Sequence, residues 1–240
     1  MTVHLAYASR VFRMVPEVLG SDVLAVIART PDLNRGAVVQ RLEGDRCLVT
    51  LMGILGEEPP LDHVGFLEYA ESLASAEAFA MARTATPLTE AVRFRFPVYF
   101  RRRYEKLAGF PAGLFVVGDA LCSFSPVYGQ GMSIAAVEAL RLRDELERPD
   151  GPRPERYFRA VAEDLEAPWQ TAVGADLPAI TQRPPDGLGQ YLLRLQRAAH
   201  ADPVVSSAFV LVTSLVEPPS TLLDPDLALR VWSAPASRAA

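Results

Sequence analysis

The sequence predicts an α+β chain: a mostly antiparallel sheet with helices, one strand–loop–helix unit, and a helical C-terminal segment. Three observations predict it. The first half alternates apolar and polar residues with the period of strands. A Gly- and Pro-rich loop at residues 118–132 sits between a short apolar run and a helix-patterned segment. Beyond residue 153, Tyr157, Val161 and Leu165 recur at helical spacing.

Residues 3–13 open the chain in an extended pattern, and residues 23–29, 37–42 and 46–54 continue it. The turn signals between them are Gly20-Ser21-Asp22, Asn34-Arg35-Gly36 and Glu43-Gly44-Asp45, so the arrangement reads as an antiparallel meander. Residues 61–83 change to helical spacing (Phe66, Leu67, Ala70, Leu73, Ala74), with a break near Ser75 that divides them into two short helices. Val92, Phe94, Phe96, Val98 and Phe100 then alternate with Arg93, Arg95, Pro97, Tyr99 and Arg101, and this apolar face is expected to pack into the core. Pro97 cannot donate a ladder hydrogen bond, which places the strand at an edge or a bulge. Residues 113–117 read as a short buried strand, and residues 130–146 as a helix whose apolar first turns enter the core. Residues 148–154 hold three prolines and form a linker. Two or three helices follow the one bearing Tyr157, with breaks at Pro184-Pro185 and Pro218-Pro219; residues 203–216 read as a buried helix. The expected organisation is residues 1–112, a sheet with helices; 113–147, the strand–loop–helix unit; and 148–240, the helical segment.

The 240 residues are half apolar and carry a net charge of −5, a balance that argues against nucleic-acid binding. Arg101 to Arg103 read as a solvated strand end. Cys47 and Cys122 match no metal-ligand spacing, His4, His63 and His200 are scattered, and no metal site is expected. No apolar run is long enough for a transmembrane span, and a cytoplasmic protein is expected.

The loop carries the chemistry. Asp119 follows the apolar run and Gly118, where a carboxylate can accept hydrogen bonds from sugar-alcohol hydroxyls. Gly129 and Gly131 flank Gln130 at a helix start, where free N–H groups and the helix dipole suit an electron-rich ligand edge. Pro126 stiffens the loop. Together these suit a ribityl chain beside an isoalloxazine ring, whose reduced form carries negative charge at one edge.

Gly118-Asp119-Ala120, then Pro126, then Gly129-Gln130-Gly131-Met132 before a small-residue helix resembles the second flavin motif of FAD-dependent monooxygenases of the aromatic-hydroxylase, para-hydroxybenzoate hydroxylase-like group. The resemblance covers residues 3–147. It implies that Asp119 binds ribityl hydroxyls, that the Gly129–Met132 backbone meets the pyrimidine edge, and that Pro126 lies near the ring. It further implies FAD as cofactor, NAD(P)H as reductant, and oxidation of a small lipophilic or aromatic substrate. The resemblance and the residues name no catalytic acid or base, because the flavin carries the chemistry.

Such enzymes also hold the ADP half of FAD on a GxGxxG strand–turn–helix, and no GxGxxG occurs in this chain. The chain therefore reads as the C-terminal half of such an enzyme, truncated or split, with pyrophosphate and adenine lacking their cradle. The competing expectation is a non-enzymatic fragment that needs an N-terminal-half partner or self-associates. A remote third reading is a serine hydrolase using Ser133, within Gly131-Met132-Ser133-Ile134-Ala135, with Asp176 and His200 downstream. A nucleophile elbow needs its serine directly after a strand, whereas Ser133 falls in a helix pattern.

Overall fold

A computed structural model describes residues 2–29, 33–73, 75–181, 186–199 and 201–234. The chain divides into two compact units, Met1–Val98 and Tyr99–Ala240.

The first unit runs β1 (Thr2–Arg13), α1 (Pro16–Leu19), β2 (Leu24–Ile27), β3 (Arg35–Leu42), β4 (Arg46–Gly53), α2 (His63–Glu71), α3 (Glu77–Thr84) and β5 (Val92–Val98). The strands form one antiparallel sheet in the order β2-β3-β4-β1-β5. The β3–β4 hairpin turns where Gly44 and Asp45 both take positive φ, which the right-handed strand twist favours in a tight hairpin. Asp62 caps α2 by accepting from the Gly65 N–H at 2.8 Å. The helix break expected near Ser75 falls between α2 and α3.

Period-2 alternation sends Ala8, Phe12, Val39, Cys47, Val49 and Leu51 to one face, where they pack with Phe66, Ala70 and Met81. Arg10 shares that face and is buried. Its Nε donates to the Thr89 carbonyl at 2.8 Å, and its Nη1 lies 3.3 Å from His63 Nδ1. The opposite face is left largely uncovered. Val26, Val92 and Phe94 are exposed there, and Phe94 remains 59% exposed although its ring stacks on Tyr7. Core packing of the β5 phenylalanine face is thereby overturned for Phe94: both core helices pack on the other side. β5 does lie at the sheet edge, as Pro97 requires.

The second unit runs β6 (Phe100–Arg101), β7 (Cys122–Ser123), α4 (Gly131–Leu146), α5 (Pro154–Thr181), α6 (Gly187–Ala199), α7 (Pro203–Thr213) and α8 (Pro225–Ser233), with short 3-10 turns between. α5 supplies the stripe Tyr157, Val161, Leu165 and adds Phe158, whose ring lies 4.7 Å from that of Phe110 and 5.1 Å from that of Tyr104. A second cluster joins Tyr191 and Leu195 of α6, Val205 and Val212 of α7, and Leu227 and Val231 of α8. α7 and α8 start alike: an aspartate cap (Asp202, Asp224), then proline at the first helical position. Pro184-Pro185 lies outside the described residues. No described helix is long and apolar enough to cross a membrane.

Four local expectations are corrected. Residues 113–117 are not a strand: Val117 is extended, but no strand pairs with this segment among the described residues, and Leu114 and Val117 are exposed. The first turns of α4 do not enter the core, because the helix faces α5 through Ile134 and Glu138 and leaves Met132 87% exposed. α7 is only half buried, with Val204 and Val210 exposed. Arg101 is not solvated.

The Arg101 side chain is 2% exposed; its Nη1 donates to Glu166 Oε2 at 2.7 Å and its Nη2 to the Ala162 carbonyl at 2.9 Å. Hydrogen bonds from Gln170 and Arg101 hold the Glu166 carboxyl down at about 2. A depressed carboxylate contributes stability above its unfolded value that is lost as pH falls towards its folded one. Glu166→Ala is expected to destabilise the second unit by about 1 kcal/mol at neutral pH, because Arg101 loses a carboxylate that is itself half exposed. Paired denaturant titrations check this: the gap from wild type should close as pH falls from about 5 towards 2.

Candidate functional site

The loop at residues 118–132 is built on two supports. Its first arm pairs in the β6–β7 ribbon, Phe100 opposite Ser123 and Arg101 opposite Cys122. Its far end becomes the N-terminus of α4. One 3-10 turn, Gly118–Ala120, leads into the ribbon, and a second, Pro126–Tyr128, lies between it and α4. Gly118 (φ +63°) and Gly129 (φ +65°) both adopt backbone that L side chains resist. Leu121 N–H closes the first turn on the Gly118 carbonyl, and Arg102 Nη1 donates to the Ala120 carbonyl at 2.6 Å while its guanidinium lies over the Phe100 ring.

The predicted residues lie in this loop, most of them open to solvent. Asp119, Ala120, Pro126, Gly129 and Met132 are exposed, and Gly118 and Gly131 are half-buried. A Cβ placed on Gly118, Gly129 or Gly131 would meet no atom within 4 Å, so a ligand can reach the main chain there. Gln130 occupies the N-cap of α4 without capping it, which leaves the first-turn N–H groups without a side-chain acceptor. An uncapped helix start, left-handed glycines facing open space and an exposed carboxylate fit the electron-rich edge and hydroxylated chain of a flavin. Gln130 is the exception. Its side chain is buried and turned away, Nε2 donating to the Thr213 carbonyl at 3.1 Å, so it offers a ligand only its backbone.

Sequence reasoning missed Glu138. It is 1% exposed, and its Oε2 accepts from the Gly118 N–H while Oε1 has no partner. Burial, with help from the Asp119 charge, pushes its carboxyl up to about 7 against the opposing pull of the Gly118 N–H. The signal was present: Glu138 sits on the stripe Ile134, Glu138, Leu142 that faces the core. Tyr157 lies close by, its hydroxyl donating to the Val116 carbonyl at 3.2 Å.

Burial raises the Cys122 thiol to about 12, so it is a packed side chain rather than a nucleophile. Tyr128 does not offer its hydroxyl to a ligand but donates it to Asp176 Oδ1 at 2.7 Å. Ser133 lies inside α4, well past β7, so the geometry of a nucleophile elbow is absent; His200 lies outside the described residues. The described residues contain no group of three or more side chains placed to hold a metal ion.

No protein-family model matches the chain. Protein Rv3254 of Mycobacterium tuberculosis is 28% identical over 226 residues, covering 89% of this chain and 47% of that protein. A Cytophaga hutchinsonii flavoprotein/dehydrogenase superposes with a TM-score of 0.63 at 12% identity, over 95% of this chain and 55% of its own. The flavin-dependent brominase Bmp2 superposes with a TM-score of 0.54 at 15% identity, over 85% and 50%. The fold is that of flavin oxidoreductases. PqsL, a probable FAD-dependent monooxygenase of Pseudomonas aeruginosa, is similar at a TM-score of 0.50 and 14% identity, over 73% and 47%. The chain spans about half the length of these relatives.

Glu138 makes the stability of the second unit pH-dependent. Its folded pKa is raised, so its contribution is fully present below its unfolded value near 4.5 and is lost as pH rises through about 7. Glu138→Gln, which keeps an acceptor for Gly118 and cannot ionise, is expected to flatten this dependence. By pH 8 the variant should exceed wild type by at most about 3 kcal/mol. Melting curves between pH 5 and 8 check it.

Proposed function

We propose that this chain is the substrate-sheet and flavin-ring-contacting portion of an FAD-dependent monooxygenase-like oxidoreductase. Its substrate is a small lipophilic or aromatic compound, and NAD(P)H is the reductant. The observation that carries this reading is the loop itself: Asp119 exposed on a left-handed Gly118 turn, and the uncapped start of α4 behind Gly129 and Gly131.

Asp119 binds the ribityl hydroxyls. The main chain at Gly129, Gly131 and Met132 meets the pyrimidine edge, where the α4 dipole favours the charge of the reduced ring. Pro126 and Gly118-Ala120 border the ring. The bound flavin supplies the redox chemistry, and the protein supplies orientation and electrostatics. In the first unit, the uncovered sheet face around Tyr7 and Phe94 provides apolar and aromatic surface of the kind that binds such a substrate. PqsL has been crystallised with 2-aminobenzoylacetate, an aromatic compound, which supports an aromatic substrate class here.

The ADP half of FAD is assigned to residues outside this sequence, supplied by a longer chain or a partner. The approximately double length of the relatives supports this. So does the apolar surface left at Leu114 and Val117 and along Met132 and Leu140 of α4. The same surface supports the second reading, a non-enzymatic half that folds fully only against its partner or itself.

A flavin titration separates the two. If the loop binds the ring and ribityl chain, FMN and FAD should bind this chain with dissociation constants within about threefold of each other. Asp119→Ala should weaken both about tenfold, the loss of one to two hydrogen bonds to a charged acceptor. Absence of any spectral shift at millimolar flavin favours the non-enzymatic reading.

A further inference from the structure

The second turn of the loop is closed by local backbone bonds. Between Ser125 and Gly129 its backbone bonds are two short-range ones, Tyr128 N–H to the Ser125 carbonyl and Gly129 N–H to the Pro126 carbonyl. Two side chains reach much farther. Tyr128 donates its hydroxyl to Asp176 of α5, a buried carboxylate 48 residues on. Gln130 donates its amide to the carbonyl of Thr213, 83 residues on and the last residue of α7. That carbonyl is among those a helix C-terminus leaves without an intrahelical donor, and it carries the negative end of the helix dipole. Gln130 therefore links the start of one helix to the end of another.

Tyr128 and Thr213 also border a cavity of about 30 Å3 beside Thr171, Gly174, Gly189 and Phe209. We propose that α5 and α7 act as a clamp on the loop. Tyr128 and Gln130 are positioning residues that set the backbone of Gly129 to Met132, and the C-terminal helical segment is part of the ligand site although it offers the ligand no side chain. The ligand in question is the flavin ring, so this second part rests on the function proposed above.

The test uses the full chain as wild type, Tyr128→Phe, Gln130→Leu and the double variant, with Asp176→Asn as a conservative control whose amide oxygen still accepts from Tyr128. Two readouts are taken. Amide hydrogen exchange of the flavin-free chain follows Tyr128 and Gly129, whose N–H groups are bonded within the turn. FMN titration follows ligand affinity. Exchange at these two amides should accelerate about tenfold in each single variant and more in the double, with α5 and α7 unchanged and Asp176→Asn close to wild type. FMN affinity should fall in the same order.

Unchanged exchange in the double variant overturns the clamp. Accelerated exchange with undiminished FMN affinity overturns the claim that the clamp serves the ligand. Accelerated exchange in a protein that binds no flavin in any form upholds the clamp and removes the flavin function, so the two failures are distinguishable. If a variant unfolds, α5 and α7 amides lose protection as well, and the Asp176→Asn and Asp176→Leu pair then decides. The clamp requires the first to exchange like wild type and the second to accelerate Tyr128 and Gly129 about tenfold while α5 and α7 keep their protection.

Discussion

The bond between the Glu138 carboxylate and the Gly118 N–H fixes the two ends of the loop relative to each other. Asp119 stands on a turn whose first residue is in left-handed backbone, and α4 begins more than ten residues later. A carboxylate from the third turn of that helix reaches back and takes the Gly118 N–H. The spacing between an exposed acid and an open helix start is thereby set by one buried side chain. The cost is a carboxyl held where water is excluded, with one oxygen lacking a partner. A group with that environment and an exposed acid as neighbour changes charge near neutrality.

Much of the fold could be read from the chain because the first unit obeys local rules. Alternation, turn residues and the change to helical spacing each follow from contacts within a few residues, and β1 to β5, α2 and α3 stand close to where those rules put them. Gly44-Asp45 and Pro97 were decisive because their backbone preferences admit few alternatives. The misreadings share a different cause. Residues 113–117, the apolar first turns of α4 and the phenylalanine face of β5 all have the composition of buried elements, yet burial depends on what lies opposite, which composition does not record.

At the site, the residues that meet open space were visible as glycines, a proline and an acid in a fixed order. The residues that support them were not. Glu138 is marked only by its place on the stripe of Ile134 and Leu142. Asp176 and Thr213 lie too far along the chain for any local pattern to connect them with Tyr128 and Gln130. Arg101 misleads for a related reason: a guanidinium that finds a carboxylate goes inside, and its partner, Glu166, is distant in sequence.

An exposed apolar sheet face favours association, and where the sheet's edge strands can also pair with another chain's backbone, polymerisation. Here the strands that end the sheet discourage that. β2 is only four residues long, too short to template much backbone pairing. β5 carries Pro97, which has no N–H to give, and Arg93 and Arg95, whose side chains are drawn to Glu58. The first unit thus leaves apolar surface on one sheet face while denying other chains the backbone edge they would need to extend it.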